Sequence, residues 1–565
     1  MKNISIVLYC SFLLLLITAI TLPATAQNSG VLATQADSLR GSITPQRAWW
    51  EVVYYDLNVA VMPEDSTISG YNNITYRVTD QPARLQVDLQ DPLKIDQIKQ
   101  DGEELSYERA KNSYAYFVNM PNNLQKDSLY TLSVYYQGKP KVAENPPWDG
   151  GFIWAQDSLG NPWIATANQG LGASVWWPNK DHQSAEPDSM SINITVPDEI
   201  KNVSNGRLRD TTRHDNGMTT WHWFISNPIN NYNIAVNAGN YVNFSEIFDG
   251  EDGTLDLSYW VLEQNLDKAK KQFQQVKPMM RCFEDWFGPY PFYEDSFKLV
   301  ETPHLGMEHQ SAVAYGNQYQ NGYMGRNLSG SGWGLKWDFI IIHEAAHEWW
   351  GNNITTNDIA DMWVHEGFTS YSESIYTECR FGKEAAREYT IGLRANIENR
   401  EPVTGQYGLN NEGSGDMYYK GHNMLHTIRQ IVDNDSTWKE ILRGINRDFR
   451  HQIVTADQVE KYIIEQSGKD LDDLFDQYLH YASIPVFQYY IDDLNRLHYR
   501  WKADISHFNM PLKIAEGKGD YYFIYPVSNR WKITKVDKGK DFKTDPNFYI
   551  DTERISNEES VNGNN

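Results

Sequence analysis

The sequence predicts a multidomain α+β protein, and three changes of texture along the chain carry that prediction. Apolar residues recur at every second position from about Trp49 to Leu262, at helical spacing from there to about Ile484, and at every second position again after Pro485. A chain of 565 residues also exceeds what one hydrophobic core serves, roughly 250–300 residues.

The first stretch is read as a β-rich domain over 45–262. "LQVDLQ" (Leu85, Val87, Leu89), "YTLSVYY" (Tyr130, Leu132, Val134) and "MSINITV" (Met190, Ile192, Ile194, Val196) each present one apolar face. Asp101-Gly102 and Asp252-Gly253 supply hairpin turns. The second stretch, 263–484, is mostly helical: "NLDKAKKQFQQVKPMMRCFEDWF" places Ala269, Phe273, Val276 and Met280 on one side of a helix. The third, 485–553, reads as a small β-sandwich from "FQYYI", "RLHYRWKADI" and "YYFIYPV". Residues 554–565 form a polar tail expected to be disordered.

Ahead of these domains, residues 1–26 follow a secretory layout: Lys2, an apolar run, and the small residues "ATA" before Gln27. Residues 27–44 are read as a linker. Cleavage after Ala26 leaves no segment apolar enough to span a bilayer, so the expected protein is exported, to the periplasm or the extracellular space. It then keeps two cysteines, Cys282 and Cys379. They are too few for a disulfide scaffold, and the sequence leaves open whether they pair. A net charge of −24 argues against nucleic acid, whose binding needs clustered Lys and Arg. Oligomeric state is not encoded in any pattern we identify.

The chemistry concentrates in "HEAAHEWWGN", His343 to Asn352. The run "LKWDFIIIHEAAHEWWG" favours a helix ending at Gly351. On that helix His343 and His347 stand a turn apart on one face, close enough for both imidazoles to bind one zinc ion. Glu344 projects beside them, placed to take a proton from the zinc's water. A catalytic zinc has three protein ligands. Glu366, in "DMWVHEGFTSYSES", is the candidate for the third, on a second helix that Asp361 would cap. Glu373 falls two turns further on the same face and would orient a liganding histidine. His365 points about 100° away around the helix and is read as structural.

"HEAAHEWWGN" followed by "WVHEGF" resembles the zinc gluzincin aminopeptidases, the family of aminopeptidase N and the leukotriene epoxide hydrolase. Eighteen residues separate His347 from Glu366, as in that family's pattern. Three further stretches match in chain order. "LGMEH" is similar to the exopeptidase segment, with Glu308 at its glutamate and Gly306 and Met307 alongside. "YYKG" is similar to the segment of the catalytic tyrosine, with Tyr418 in place. "ANQGLGASVWWPNKDHQSAEPD" is similar to the first-domain loop that enters the site, with Gln169 at the substrate-contacting glutamine. The likeness runs from about Trp49 to Pro485. It departs at Leu305-Gly306, where the family usually has Gly-Ala, and at His309, where it has Asn.

The resemblance implies a saddle-like N-terminal β domain, a thermolysin-like catalytic domain and a small C-terminal β-sandwich, without the large helical fourth domain of longer relatives. It implies one zinc ion per chain on His343, His347 and Glu366, with Glu344 as general base and Tyr418 stabilising the oxyanion. Glu308, with Gln169, would bind the free α-ammonium of a peptide. The alternatives are a thermolysin-like endopeptidase, or an inactive peptide-binding protein on the same scaffold.

Overall fold

Strand Trp50–Met62 organises the first part of the computed structural model, which describes residues 33–536 and 542–556. It pairs antiparallel with Thr67–Val78 and parallel with Ser189–Pro197, at the centre of an eight-stranded sheet. The alternation seen in the sequence is the alternation of burial. Leu57, Val59 and Val61 point inward with Leu132, Val134, Ile192 and Ile194, all essentially buried. Each such side chain contributes about 1.5–3 kcal/mol relative to exposure. A register shift between Val52 and Tyr54 re-phases the strand, so Tyr55 and Val52 share the inner face although three residues apart. At the turn before Glu103–Glu104, Asp101 and Gly102 both take positive φ, 52° and 85°. A smaller sheet of Lys201–Val203, Asn237–Gly239, Pro162–Ala167 and Gly151–Gln156 leads directly to the loop that carries Gln169.

The hairpin Tyr241–Gly250 and Gly253–Leu262 closes the stretch read as β-rich, and its second strand pairs onward with a strand beyond Leu262. Leu257–Trp260 pair in parallel with Phe297–Val300, which joins the hairpin to the strands carrying the Glu308 segment. Alternation identifies a strand but not its sheet, and a parallel partner needs a crossover. Here the crossover is the predicted helix, broken into Leu266–Gln272, a tight turn Phe273–Gln275, and Val276–Phe287. Ala269, Phe273, Val276 and Met280 are all buried, as the spacing implied.

Helices Phe339–Ala346, Trp363–Phe381, Lys383–Leu393 and Asp416–Val432 pack around the site. A disulfide between Cys282 and Cys379, Cα atoms 6.1 Å apart, ties Val276–Phe287 to Trp363–Phe381 and closes the question the sequence left open. The C-terminal residues form a four-stranded sheet centred on Val486–Ile491 and Arg496–Lys502 and a three-stranded sheet centred on Leu512–Glu516. Their inner residues Phe487, Trp501 and Leu512 belong to the same apolar cluster as the helices.

Two terminal readings change. Part of the expected linker is a helix, Gln35–Gly41, because buried polar side chains capture its last carbonyls. Asp551–Arg554 is a strand, so Arg554 belongs to it and not to the expected tail. The expected signal peptide and residues 557–565 lie outside the described residues. Among the described residues no helix is long and apolar enough to cross a membrane.

Candidate functional site

Helix Phe339–Ala346 is buried along its whole length, so its two polar side chains, His343 and Glu344, need partners. Asp338 caps it, accepting from the Ile340 and Ile341 amides at 3.1 and 3.4 Å. The helix stays regular only to Ala346, short of the expected Gly351. Glu348–Asn352 form a wider turn in which Trp350 and Gly351 leave helical geometry. Gly351 takes φ +119°, and a Cβ there would sit 3.2 Å from the His365 ring and 3.4 Å from His347 Nδ1. This unwinding brings the Trp350 carbonyl to 2.9 Å from His347 Nδ1.

Each imidazole is thus held by its Nδ1 with Nε2 free to face the cleft. His343 Nδ1 lies 2.7 Å from Glu373, whose other oxygen accepts from the Tyr389 hydroxyl at 2.7 Å. His347 Nδ1 meets the Trp350 carbonyl and the Thr369 hydroxyl. The two Nε2 atoms converge on one oxygen of Glu366, at 3.6 Å from His343 and 3.3 Å from His347. Glu366 rides on helix Trp363–Phe381. Asp361, expected to cap that helix, instead accepts from the Ala456 amide and the Tyr407 hydroxyl, and Asp358 caps the preceding turn. His365 accepts from the Thr356 amide at 3.0 Å, a structural role.

His343, His347 and Glu366 offer ligand atoms within 4.8 Å of one another. The shared Glu366 oxygen is buried without a hydrogen-bond donor. Burial disfavours the charged forms here, yet Glu366 and Glu373 raise the His343 pKa well above the ordinary range and Glu366 raises that of His347. The two imidazoles in turn hold Glu366 well below the usual carboxylate range, against its burial. The trio therefore favours positive charge at its centre. Two nitrogens and one carboxylate oxygen form the donor set that suits a divalent ion such as zinc.

Around the trio lies a cavity of about 480 Å³ lined by Gly306, Met307, Glu308, Glu344, Tyr418 and Tyr419, among others. Burial and the neighbouring Glu308 push Glu344 up to about 7, with His343 and His347 opposing. Gly306 is required next to it: a Cβ would stand 2.8 Å from Glu344 Oε1 and from Ile340. Met307 is buried against Ile153, Ala165 and Ala167 of the first domain. Glu308 accepts from the Tyr232 hydroxyl at 2.9 Å and is pushed up chiefly by burial. Its carboxylate also falls within 4.8 Å of ligand atoms of Glu344 and His347.

Tyr418 stacks 6.2 Å from the His343 ring, and burial among carboxylates keeps its phenol protonated. Gln169 enters from the first domain but donates to Glu366 at 3.0 Å, a contact not expected from the sequence. Tyr232 and Tyr389, which fix Glu308 and Glu373, were also missed. No local pattern marks either: Tyr232 reaches Glu308 from 76 positions away, and Tyr389 reaches Glu373 from the following helix.

Residues 271–478 match the Peptidase family M1 domain, and residues 51–232 match the Peptidase M1 N-terminal domain. The chain belongs to peptidase family M1. This M1 chain is 23% identical to mouse aminopeptidase B over 384 residues, 63% of the chain and 54% of that protein. It is 21% identical to leukotriene A-4 hydrolase of Xenopus laevis over 318 residues, 52% of the chain and 49% of that protein. It spans about half the length of the curated relatives it matches. Among solved structures, a two-domain M1 zinc metallopeptidase mutant bound to L-tryptophan superposes with a TM-score of 0.67. That match has 20% identity and covers 79% of this chain and 98% of the other. The M1 zinc metallopeptidase of Deinococcus radiodurans gives 0.65 at 19% identity, covering 79% and 97%. At these identities the likeness is one of fold: a β-rich N-terminal domain followed by a helical catalytic domain.

Proposed function

We propose that this M1 chain is a zinc aminopeptidase, exported through residues 1–26 to the periplasm or extracellular space, that releases the first residue of peptides. Its organisation is read as a β-rich domain ending before Tyr241, a thermolysin-like catalytic domain, and a small C-terminal sandwich. The buried Glu308 carboxylate, held beside Glu344 and His347, carries the choice of aminopeptidase over endopeptidase. An anion desolvated in that position favours a cation, and the cation at a peptide's end is its α-ammonium.

His343, His347 and Glu366 would hold the zinc. When bound, zinc polarises the scissile carbonyl and lowers the pKa of water. Glu344 accepts a proton from the attacking water and passes it to the leaving amine, a role suited to a carboxylate poised near neutral pH. The Tyr418 hydroxyl donates to the oxygen that becomes negative; one such donor is typically worth about 2.7–4 kcal/mol. Glu308 and Tyr232 fix the ammonium, which leaves the first peptide bond as the one presented. Gln169 keeps Glu366 oriented and closes the site from the first domain.

A matched pair of peptides, one with a free amine and one N-acetylated, tests this reading. The free peptide should lose its first residue and the acetylated one should stay intact. Glu344→Gln should abolish the cut while retaining metal. Cleavage of both peptides at similar rates would overturn the aminopeptidase assignment.

A further inference from the structure

Beyond Gln169 the cleft continues into two smaller chambers that share Gln169 and Gly170 with it. Their combined walls are acidic, with Glu308, Glu344, Glu366 and Glu412 among them, and Arg40 is the single Arg or Lys among the described lining residues. Arg40 belongs to helix Gln35–Gly41, ahead of the region matched to the M1 N-terminal domain.

That helix end is built in. Arg47 donates to the carbonyls of Arg40 and Ser42 at 2.8 and 3.1 Å, and Gln86 to that of Leu39 at 3.1 Å. Gly41 packs so closely on Leu409 that a Cβ would lie 2.0 Å from its carbonyl carbon. Arg40 itself spends one nitrogen on the Gly170 carbonyl at 2.6 Å. Among the described residues it forms no ion pair within 4.0 Å, whereas Arg47 behind it holds Asp88 at 2.6 Å. This half-buried guanidinium lines both smaller chambers, with Asp181 as its leading charged neighbour and Glu412 also facing it, and only one of its nitrogens is committed to a carbonyl.

Distance sets what it reads. Gln169 reaches Glu366 at 3.0 Å and Gly170 is its neighbour, so Arg40 stands on the order of 10 Å from the metal trio, and an extended peptide advances about 3.5 Å per residue. We propose that Arg40 recognises the free C-terminal carboxylate of peptides of two or three residues, so that this aminopeptidase selects short peptides by both ends. This rests on the reading of the site given above. The guanidinium fork matches a carboxylate in geometry and charge. Glu308 takes the ammonium, Arg40 the carboxylate, and a longer chain has to pass Arg40 without pairing it.

The experiment compares a tripeptide with its C-terminal amide, in wild type, Arg40→Met and Arg40→Lys. Wild type should show a kcat/KM about tenfold or more higher for the acid, expressed in KM. Arg40→Met should lose that preference, the acid's kcat/KM falling to that of the amide, and Arg40→Lys should recover part of it. Equal rates for acid and amide in wild type, or an equal loss on both substrates in Arg40→Met, would overturn the proposal and leave Arg40 as a brace for the Gly170 loop. Calorimetric titration of Glu344→Gln with the same two ligands reads the carboxylate independently of turnover. Should wild type cut neither peptide, the aminopeptidase reading falls while the binding difference still decides the role of Arg40.

Discussion

Among the buried charged clusters of the described residues, two differ in how their charge is met. Behind the first-domain sheet, Arg47 is fully buried, ion-paired to Asp88 and bonded to the Asp181 carbonyl at 2.9 Å, and Lys180 donates to the Trp50 carbonyl at 2.7 Å. Cations and anions there answer each other inside the protein. Around Glu366 the anions outnumber the cations: Glu308, Glu344, Glu366 and Glu373 face two imidazoles, and the Glu366 oxygen they share has no donor. The first cluster is a structural joint. The second is arranged around a positive charge that the chain does not itself supply.

The contrast sets the order of expected effects. Glu344→Gln should lower kcat by about 10²–10⁴, the usual worth of a placed general base, with melting temperature and metal content unchanged. Arg47→Ala should do the converse, destabilising the fold by about 3–5 kcal/mol in denaturant titration because Asp88 is left buried and unpaired. Metal content per folded molecule should not change in that variant. Glu373→Gln tests the support of His343 and should weaken metal affinity about 10–100-fold in a competition titration against a chelator. Gly351→Ala is the mildest. It strains a positive-φ position against His365 and should cost about 1–3 kcal/mol of stability, with a smaller loss of metal affinity through the displaced Trp350 carbonyl.

The sequence showed the charged pattern of the second cluster better than that of the first. His343, Glu344, His347 and Glu366 sit on two helices, where fixed spacing converts directly into direction, and the structure brings them together. Glu373 follows from the same periodicity. That the hairpin Tyr241–Leu262 shares a sheet with Phe297–Glu301 was not legible, because alternation says nothing about which sheet a strand joins. The end of the zinc-motif helix was misjudged by a turn: Trp349 and Trp350 favour continued burial, but the backbone unwinds to satisfy His347. Arg40 was invisible, since a seven-residue helix is too short to show its own signal and is held by side chains from Arg47 and Gln86.

The most direct test of the account is metal stoichiometry, measured by inductively coupled plasma mass spectrometry on the purified protein and on Glu366→Gln. About one zinc per chain in the wild type, falling to near zero in a variant whose circular dichroism is unchanged, is the predicted result. A wild-type protein that is folded yet retains no zinc after exposure to it, or a Glu366→Gln variant that holds zinc as tightly as the wild type, would contradict it.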